Sequence, residues 1–177
     1  MSSPTPLRFA VLTVSDRCSR GETEDRSGPA VRQWIEKNLG GQCVAAELVP
    51  DGVDSVRSAV TGWLERDEPP HFVATTGGTG FAPRDHTPEG VAPLIDRPAP
   101  QLLDLARLRC LAKTPLAYAS RGVAGVAGST LVITLPGSPR GAVEVLDALG
   151  EVLPHSLRLL RGLPGLQNTP PAPTAAS

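Results

Sequence analysis

Residues 75–85, Thr75-Thr76-Gly77-Gly78-Thr79-Gly80-Phe81-Ala82-Pro83-Arg84-Asp85, narrow what this chain can become more than any other segment. They follow an apolar run, residues 71–74, that reads as a short buried strand. They lead into Thr87-Pro88-Glu89, where Thr87 suits an N-cap and Pro88 a first helical turn. The loop crowds three glycines, three threonines, an arginine and an aspartate together. Glycine lets backbone N–H groups come close to a ligand, and successive N–H groups make a concave anion site. An acid at the far end can hold a divalent cation against that anion. The segment suits a phosphate and a metal.

The same order of strand, polar loop and helix repeats along the chain. Residues 8–14 read as a strand ending in the polar loop 15–27, and a helix follows from Pro29, with Val31, Trp34, Ile35 and Leu39 on one stripe. Residues 43–49 read as a second strand that ends at Pro50-Asp51-Gly52. The next helix repeats Val53, Val56, Val60, Trp63 and Leu64 at helical spacing. Residues 101–111 form a helix that is apolar on more than one side, with one face for the sheet and another for a neighbouring subunit. Residues 116–119 read as a short strand and 122–128 as a glycine-punctuated turn or hairpin. The β-type run 131–135 closes at Pro136-Gly137-Ser138-Pro139, where Ser138 caps and Pro139 opens the last helix, and Pro154 kinks or restarts it.

Alternating strands and helices argue for an α/β fold whose mostly parallel sheet is covered on both faces, an αβα sandwich. In such sheets the loops leaving the strands share one rim, where ligands bind. Ser15-Asp16, Pro50-Asp51, the glycine loop and Pro136-Gly137-Ser138 therefore converge. Residues 8–163 read as one domain between a flexible N-terminus, 1–7, and a disordered Pro/Ala-rich tail, 164–177.

Composition excludes several classes. Charge is nearly balanced and aromatic residues make up 3%, which argues against nucleic-acid binding. Only Lys37 and Lys113 are lysines, so positive charge is almost all arginine, suited to forked contacts with phosphates. Cys18, Cys43 and Cys110 are odd in number and lack zinc spacing, so they read as reduced thiols of a cytoplasmic protein. No apolar run approaches membrane-spanning length.

The glycine loop is neither of the two common phosphate fingerprints. Gly78-Thr79-Gly80 lacks the third glycine of the dinucleotide motif, and no Gly-Lys-Ser/Thr occurs anywhere. No Gly-x-Ser-x-Gly elbow is present, which argues against a serine hydrolase. What remains is anion binding by backbone, hydroxyls and arginine beside carboxylates at Asp16, Asp51 and Asp85. That set suits magnesium-assisted phosphoryl or nucleotidyl transfer, where positioning and charge neutralisation dominate. Plainer roles stay open. Asp51 suits a cap for the helix at Val53, Asp16 a bond to its own loop, and Arg121 a solvated surface charge.

Thr13-Val14-Ser15-Asp16, Asp25-Arg26-Ser27-Gly28-Pro29, Val49-Pro50-Asp51, Thr76-Gly77-Gly78-Thr79-Gly80, Arg84-Asp85, Thr87-Pro88-Glu89, Ser120-Arg121 with Ala124-Gly125, and Leu135-Pro136-Gly137-Ser138-Pro139 occur in that order. Together they resemble the MogA/MoaB family of molybdenum-cofactor biosynthesis proteins across residues 8–161. The resemblance implies a three-layer α/β fold, a homotrimer or hexamer, and magnesium-dependent transfer of AMP from ATP to the terminal phosphate of molybdopterin. It implies catalytic and metal-handling roles for Asp85 and Asp51. It further implies substrate contacts at Ser15, Asp16, Thr76, Gly77, Gly78, Thr79, Gly80, Arg84, Ser120, Arg121, Pro136, Gly137 and Ser138. The alternatives are a MoaB-like protein that binds molybdopterin but turns ATP over poorly or not at all, and a hydrolase or metal-inserting relative. Val14-Ser15-Asp16-Arg17 argues against the last, whose members carry Gly-Asp-Glu-like text after the first strand. Five positions depart from the family pattern. His86 stands for a branched aliphatic residue, Gly90 for alanine, Gly52 for an acid, and Arg109-Cys110 for a polar residue followed by serine.

Overall fold

A computed structural model describes residues 6–163; the tail at 164–177 and the first five residues of the expected flexible N-terminus lie outside the described residues. Leu7 already belongs to the first strand and is buried. Six strands form one sheet in the order β2-β1-β3-β6-β5-β4. They are β1 (Leu7–Val14), β2 (Gly41–Val49), β3 (Phe72–Thr76), β4 (Arg97–Pro98), β5 (Ala124–Ala127) and β6 (Thr130–Leu135). The first four in spatial order run parallel, and β5 and β4 pair antiparallel at the edge.

Side chains on successive strand residues point to opposite faces, and two cores follow from that alternation. Phe9 and Val11 of β1, with Phe72, Leu131 and Ile133, meet α2 (Ser27–Leu39), α5 (Pro100–Leu111), α6 (Pro139–Leu149) and α7 (Val152–Leu160). Ala10, Leu12 and Val14, with Val73 and Val132, meet α3 (Val53–Leu64) and the short α4 (Thr87–Val91). This is the expected three-layer sandwich. Indole N–H groups tie the helices down: Trp34 donates to Asp147 across α2 and α6 at 2.6 Å, and Trp63 donates to Glu47 of β2 at 2.8 Å.

Several local expectations change. The polar loop after β1 contains a four-residue helix, α1 (Asp16–Ser19), whose cap is Ser15. The helix expected from Pro29 starts at Ser27 because Asp25 Oδ1 accepts from the N–H groups of Ser27 and Gly28, both at 3.0 Å. Pro115–Ala119 is a 3-10 turn capped by Thr114 and not a strand, and among the described residues it pairs with no strand of the sheet. The turn at Gly128 joins β5 to β6 as the expected hairpin, with Gly128 at φ 58°. Residue Pro154 sits inside a separate helix, α7, that begins after a break at Gly150 and Glu151.

Two of the family departures have structural reasons. Gly52 holds φ 142°, a backbone position that an acid would occupy only under strain. A Cβ at Gly90 would meet Val53 O and Val56 at 3.0 Å, so alanine there would push α4 away from α3. No contact explains histidine at exposed position 86.

Candidate active site

The parallel strands β2, β1, β3 and β6 all end at the same rim, so the four polar loops converge there as the alternation of elements implied. The glycine loop is shaped by exclusion. A Cβ on Gly77 would lie 2.1 Å from Val14 O, and Gly77 has φ 103°. A Cβ on Gly78 would lie 2.3 Å from Thr87 Oγ1, and Gly78 has φ 61°. Only glycine fits either place. Buried Thr87 does not cap its helix; its hydroxyl donates to Gly77 O at 2.8 Å and its N–H to Gly78 O at 3.0 Å. Thr76 Oγ1 donates to Pro136 O at 2.7 Å, and Gly137 packs against Gly77. The glycine loop and the loop after β6 are thus one tied surface.

That surface forms one wall of a 720 Å³ cavity, lined by Gly78, Thr79, Gly80, Asp85, Ser120, Pro136, Gly137 and Ser138 among the residues expected at the site. Ser120 Oγ donates to Thr79 Oγ1 at 3.2 Å, and Ser138 Oγ accepts from Gly141 N at 3.1 Å, capping α6 at the cavity floor. The N-terminus of this 11-residue helix therefore faces the cavity. Such an end favours an anion. Asp85 Oδ2 accepts from Ala82 N at 2.8 Å, closing the turn that presents the carboxylate.

The opposite wall was not foreseen. It comes from α5, the 3-10 turn and α6, through Leu103, Ala106, Arg107, Cys110, Lys113, Leu116, Ala117, Arg140 and Glu144. The signal was present in the doubly apolar pattern of α5. Leu102, Leu103, Ala106 and Cys110 are its buried side, part of it facing this cavity, while Leu108 and Leu111 lie exposed. Burial raises the Cys110 thiol above its ordinary range, so Cys110 is a neutral thiol at pH 7.

Other expected residues sit at the rim without lining the cavity. Asp16 and Asp51 are reciprocal: Asp51 Oδ2 accepts from Asp16 N at 2.8 Å, and Asp16 Oδ1 accepts from Asp51 N at 3.0 Å. The pair cross-ties the loops after β1 and β2. This replaces the reading of Asp51 as a cap for α3, since α3 has no side-chain cap, and of Asp16 as bonded within its own loop. The Asp51 side chain is 8% exposed, lies behind Gly78, and has exposed Arg84 4.0 Å away. Ser15 Oγ is engaged with Cys18 N. Arg121 is no solvated surface charge; its guanidinium bonds to the carbonyls of Gly80 and Asp85 and to the Glu89 carboxylate.

Magnesium needs only one or two carboxylates when phosphates and water complete its shell. Asp85 meets that requirement, with one oxygen held by Ala82 N and the other free of any such bond to the turn. Asp51 does not share its cavity, and no group of three His, Cys, Asp or Glu side chains gathers among the described residues. No helix among the described residues is long and apolar enough to cross a membrane.

Comparison with known proteins gives the family and the fold. Residues 10–155 match a family model described as "probable molybdopterin binding domain". The fold superposes on a crystal structure of the molybdopterin biosynthesis enzyme MoaB from Thermus thermophilus, with TM-score 0.83, 46% identity, and coverage of 90% of this chain and 99% of that one. A molybdopterin adenylyltransferase of Helicobacter pylori strain J99 is 33% identical over 88% of this chain and 89% of its own length. The molybdenum cofactor synthesis protein cinnamon of Drosophila melanogaster is 39% identical over 87% of this chain, which spans 26% of that longer protein. With the sheet order, the glycine loop and the model match all in agreement, the chain belongs to the MogA/MoaB family of molybdenum-cofactor biosynthesis proteins.

Proposed function

We propose that the protein is a molybdopterin adenylyltransferase. The observation that carries the reading is the presence, in one 720 Å³ cavity, of the Asp85 carboxylate, the Gly78-Thr79-Gly80 backbone and the α6 N-terminus. A cavity of this size suits a ligand larger than a phosphate alone. In this reading the glycine loop and Ser138 hold phosphate oxygens, and Ser120, fixed through Thr79, contacts the pterin. Exposed Arg84, 4.0 Å from Asp51 at the rim, is the arginine assigned to ATP in this reading, whereas Arg121 is occupied with the loop. The terminal phosphate of molybdopterin attacks the α-phosphorus of ATP in line, a P–O bond forms, and pyrophosphate leaves. Magnesium, held through Asp85, supplies neutralisation of phosphate charge. The half-buried Asp16–Asp51 pair keeps the rim loops in place, and a direct contact of Asp51 with the metal is the finer part of the proposal.

Asp85→Asn is the test. The variant is expected to keep its fold and molybdopterin binding while pyrophosphate release from Mg-ATP falls by at least about a hundredfold. Full activity in that variant would remove Asp85 from the mechanism.

A binding-only role is the second reading, favoured by the position of Asp51 outside the cavity, which leaves Asp85 as the aspartate that lines it. Molybdopterin binding without pyrophosphate release by the native protein decides for it. The protein is also proposed to be cytoplasmic and homotrimeric, with a hexamer as the larger alternative. Exposed Leu108 and Leu111 on α5 and Leu116 and Tyr118 beside it supply an apolar surface for subunit contact. Sedimentation at a monomeric mass would remove the trimer.

A further inference from the structure

Arg121 holds the glycine loop from outside the cavity. Its backbone N–H donates to Thr79 O at 2.8 Å and its Nε donates to Gly80 O at 2.8 Å. One terminal nitrogen donates to the backbone carbonyl of Asp85, and the other pairs with the Glu89 carboxylate on α4. One planar side chain thus grips the chain just before and just after the exposed turn that presents Asp85. A lysine ammonium lacks the fork needed for those divergent acceptors.

The grip has a firm base. Val123 N donates to Thr134 Oγ1 of β6 at 2.7 Å, and Gly122 packs against the same threonine so closely that a Cβ would lie 2.9 Å away. Arg121 is therefore anchored to the central sheet through its next two residues. The turn it holds is tied to itself by Asp85 N to Ala82 O at 2.9 Å and Ala82 N to Asp85 Oδ2 at 2.8 Å. Those internal bonds set the shape of the turn and leave its position over the cavity to other contacts. Phe81, 73% exposed, lies with its ring centre 6.0 Å from the Arg121 guanidinium carbon and adds a weak cation–π contact.

We infer that Glu89 and Arg121 form a clamp that positions the Asp85 carboxylate over the cavity, so that Arg121 is a positioning residue and not a phosphate contact. The inference rests on the adenylyltransferase reading for its effect on turnover and on the loop geometry alone for its effect on motion. Charge on Glu89 contributes because its bond to Arg121 keeps its carboxyl below the usual range and ionised at neutral pH.

Hydrogen exchange of residues 79–86 in the ligand-free protein is the first measurement. Arg121→Met and Glu89→Ala are expected to speed exchange in that segment by at least about tenfold, with exchange in β1 and β3 unchanged. Glu89→Gln retains an acceptor for Arg121 and is expected to stay within about threefold of the native protein. Turnover is the second measurement. Arg121→Met is expected to lower kcat between about tenfold and a hundredfold, with KM for ATP and for molybdopterin held within about twofold. Glu89→Ala is expected to lower kcat in the same direction, and Glu89→Gln to keep most of the native kcat. Unchanged loop exchange in Arg121→Met and Glu89→Ala overturns the clamp, as does a tenfold rise in KM with kcat intact, the result for a direct phosphate contact. Should Arg121→Met fail to fold, Glu89→Ala decides, since the Glu89 side chain is 45% exposed and its loss leaves no buried gap. A native protein that releases no pyrophosphate tells against the adenylyltransferase reading, and loop exchange still decides the clamp.

Discussion

On one side of the cavity the backbone itself is the surface, while on the other side chains are. The glycine wall is held by contacts that leave no room for a methyl group, as at Gly77 against Val14 O and Gly78 against Thr87 Oγ1. The helical wall of α5 and α6 presents Leu103, Ala106, Cys110 and Val145, whose volumes can trade against neighbours. A backbone wall fixes N–H directions and suits an anion of set geometry; a side-chain wall suits the variable body of a ligand. Substitutions should therefore be far costlier on the first wall than on the second.

The largest expected effect is Gly77→Ala. The new methyl would lie 2.1 Å from Val14 O at φ 103°, where neither backbone can yield cheaply. We expect a loss exceeding about 4 kcal/mol in urea unfolding, or no soluble protein. Gly62→Ala is the matching control, because a Cβ there meets nothing within 4 Å inside helix α3. It should stabilise by about 0.5–1 kcal/mol. A Gly77→Ala protein within about 1 kcal/mol of native would break the distinction between the walls.

Ser138→Ala tests the junction between them. Its hydroxyl oxygen caps α6 at Gly141 N, 3.1 Å away, and the residue lines the cavity next to Gly137, which packs against Gly77. Loss of the cap should cost about 1 kcal/mol of stability in urea unfolding. A cost above about 3 kcal/mol would show the junction to be as rigid as Gly77.

How much of this was legible beforehand follows the same division. The parallel sheet, the two-faced helices and the rim of four loops were readable because hydrophobic period and turn residues are local signals. The glycine wall was readable for the same reason: conformational necessity is written in residue type at Gly77 and Gly78. Roles that depend on which partner a side chain meets were not. Asp51 and Asp16 exchange bonds over 35 positions of sequence, and Arg121 reaches Gly80 across 41. Thr87 reads as a cap by every local rule, yet tertiary packing turns its hydroxyl back onto Gly77 O. The segment Pro115–Ala119 reads as a short strand from Leu116 and Tyr118, yet the Thr114 cap and the bond from Ala117 N to Thr114 O close it into a 3-10 turn.

Cys110→Ser probes the tolerant wall. The thiol is buried and its Sγ lies 3.5 Å from Glu144 O, so a hydroxyl can donate to the same carbonyl. Serine also stands at this position in some adenylyltransferases that the chain resembles. We expect a stability change under about 1 kcal/mol in urea unfolding and unaltered pyrophosphate release. A large drop in turnover would show that the helical wall is as exacting as the glycine wall.

The smallest expected effect lies at the other end of β3. His71 precedes the strand whose C-terminal end feeds the glycine loop, and its Nδ1 accepts from Arg8 N at 3.0 Å, which requires that nitrogen to be unprotonated. Burial first, and the nearby positive charges of Arg161 and Arg8 second, lower its pKa below the ordinary 6.5. The unfolded chain therefore takes up this proton at higher pH than the folded one. The stabilising contribution is complete above pH 6.5 and is lost as pH falls from there through the lowered folded value. Asparagine can accept from Arg8 N without titrating, so His71→Asn should flatten the acid side of the stability profile relative to the native protein. Pyrophosphate release per folded molecule should be the same in both over that range, because this rim carries none of the cavity. A variant whose stability falls with acid as steeply as the native protein would assign that loss to carboxylates. A variant whose turnover shifts would show that the two ends of β3 are mechanically coupled.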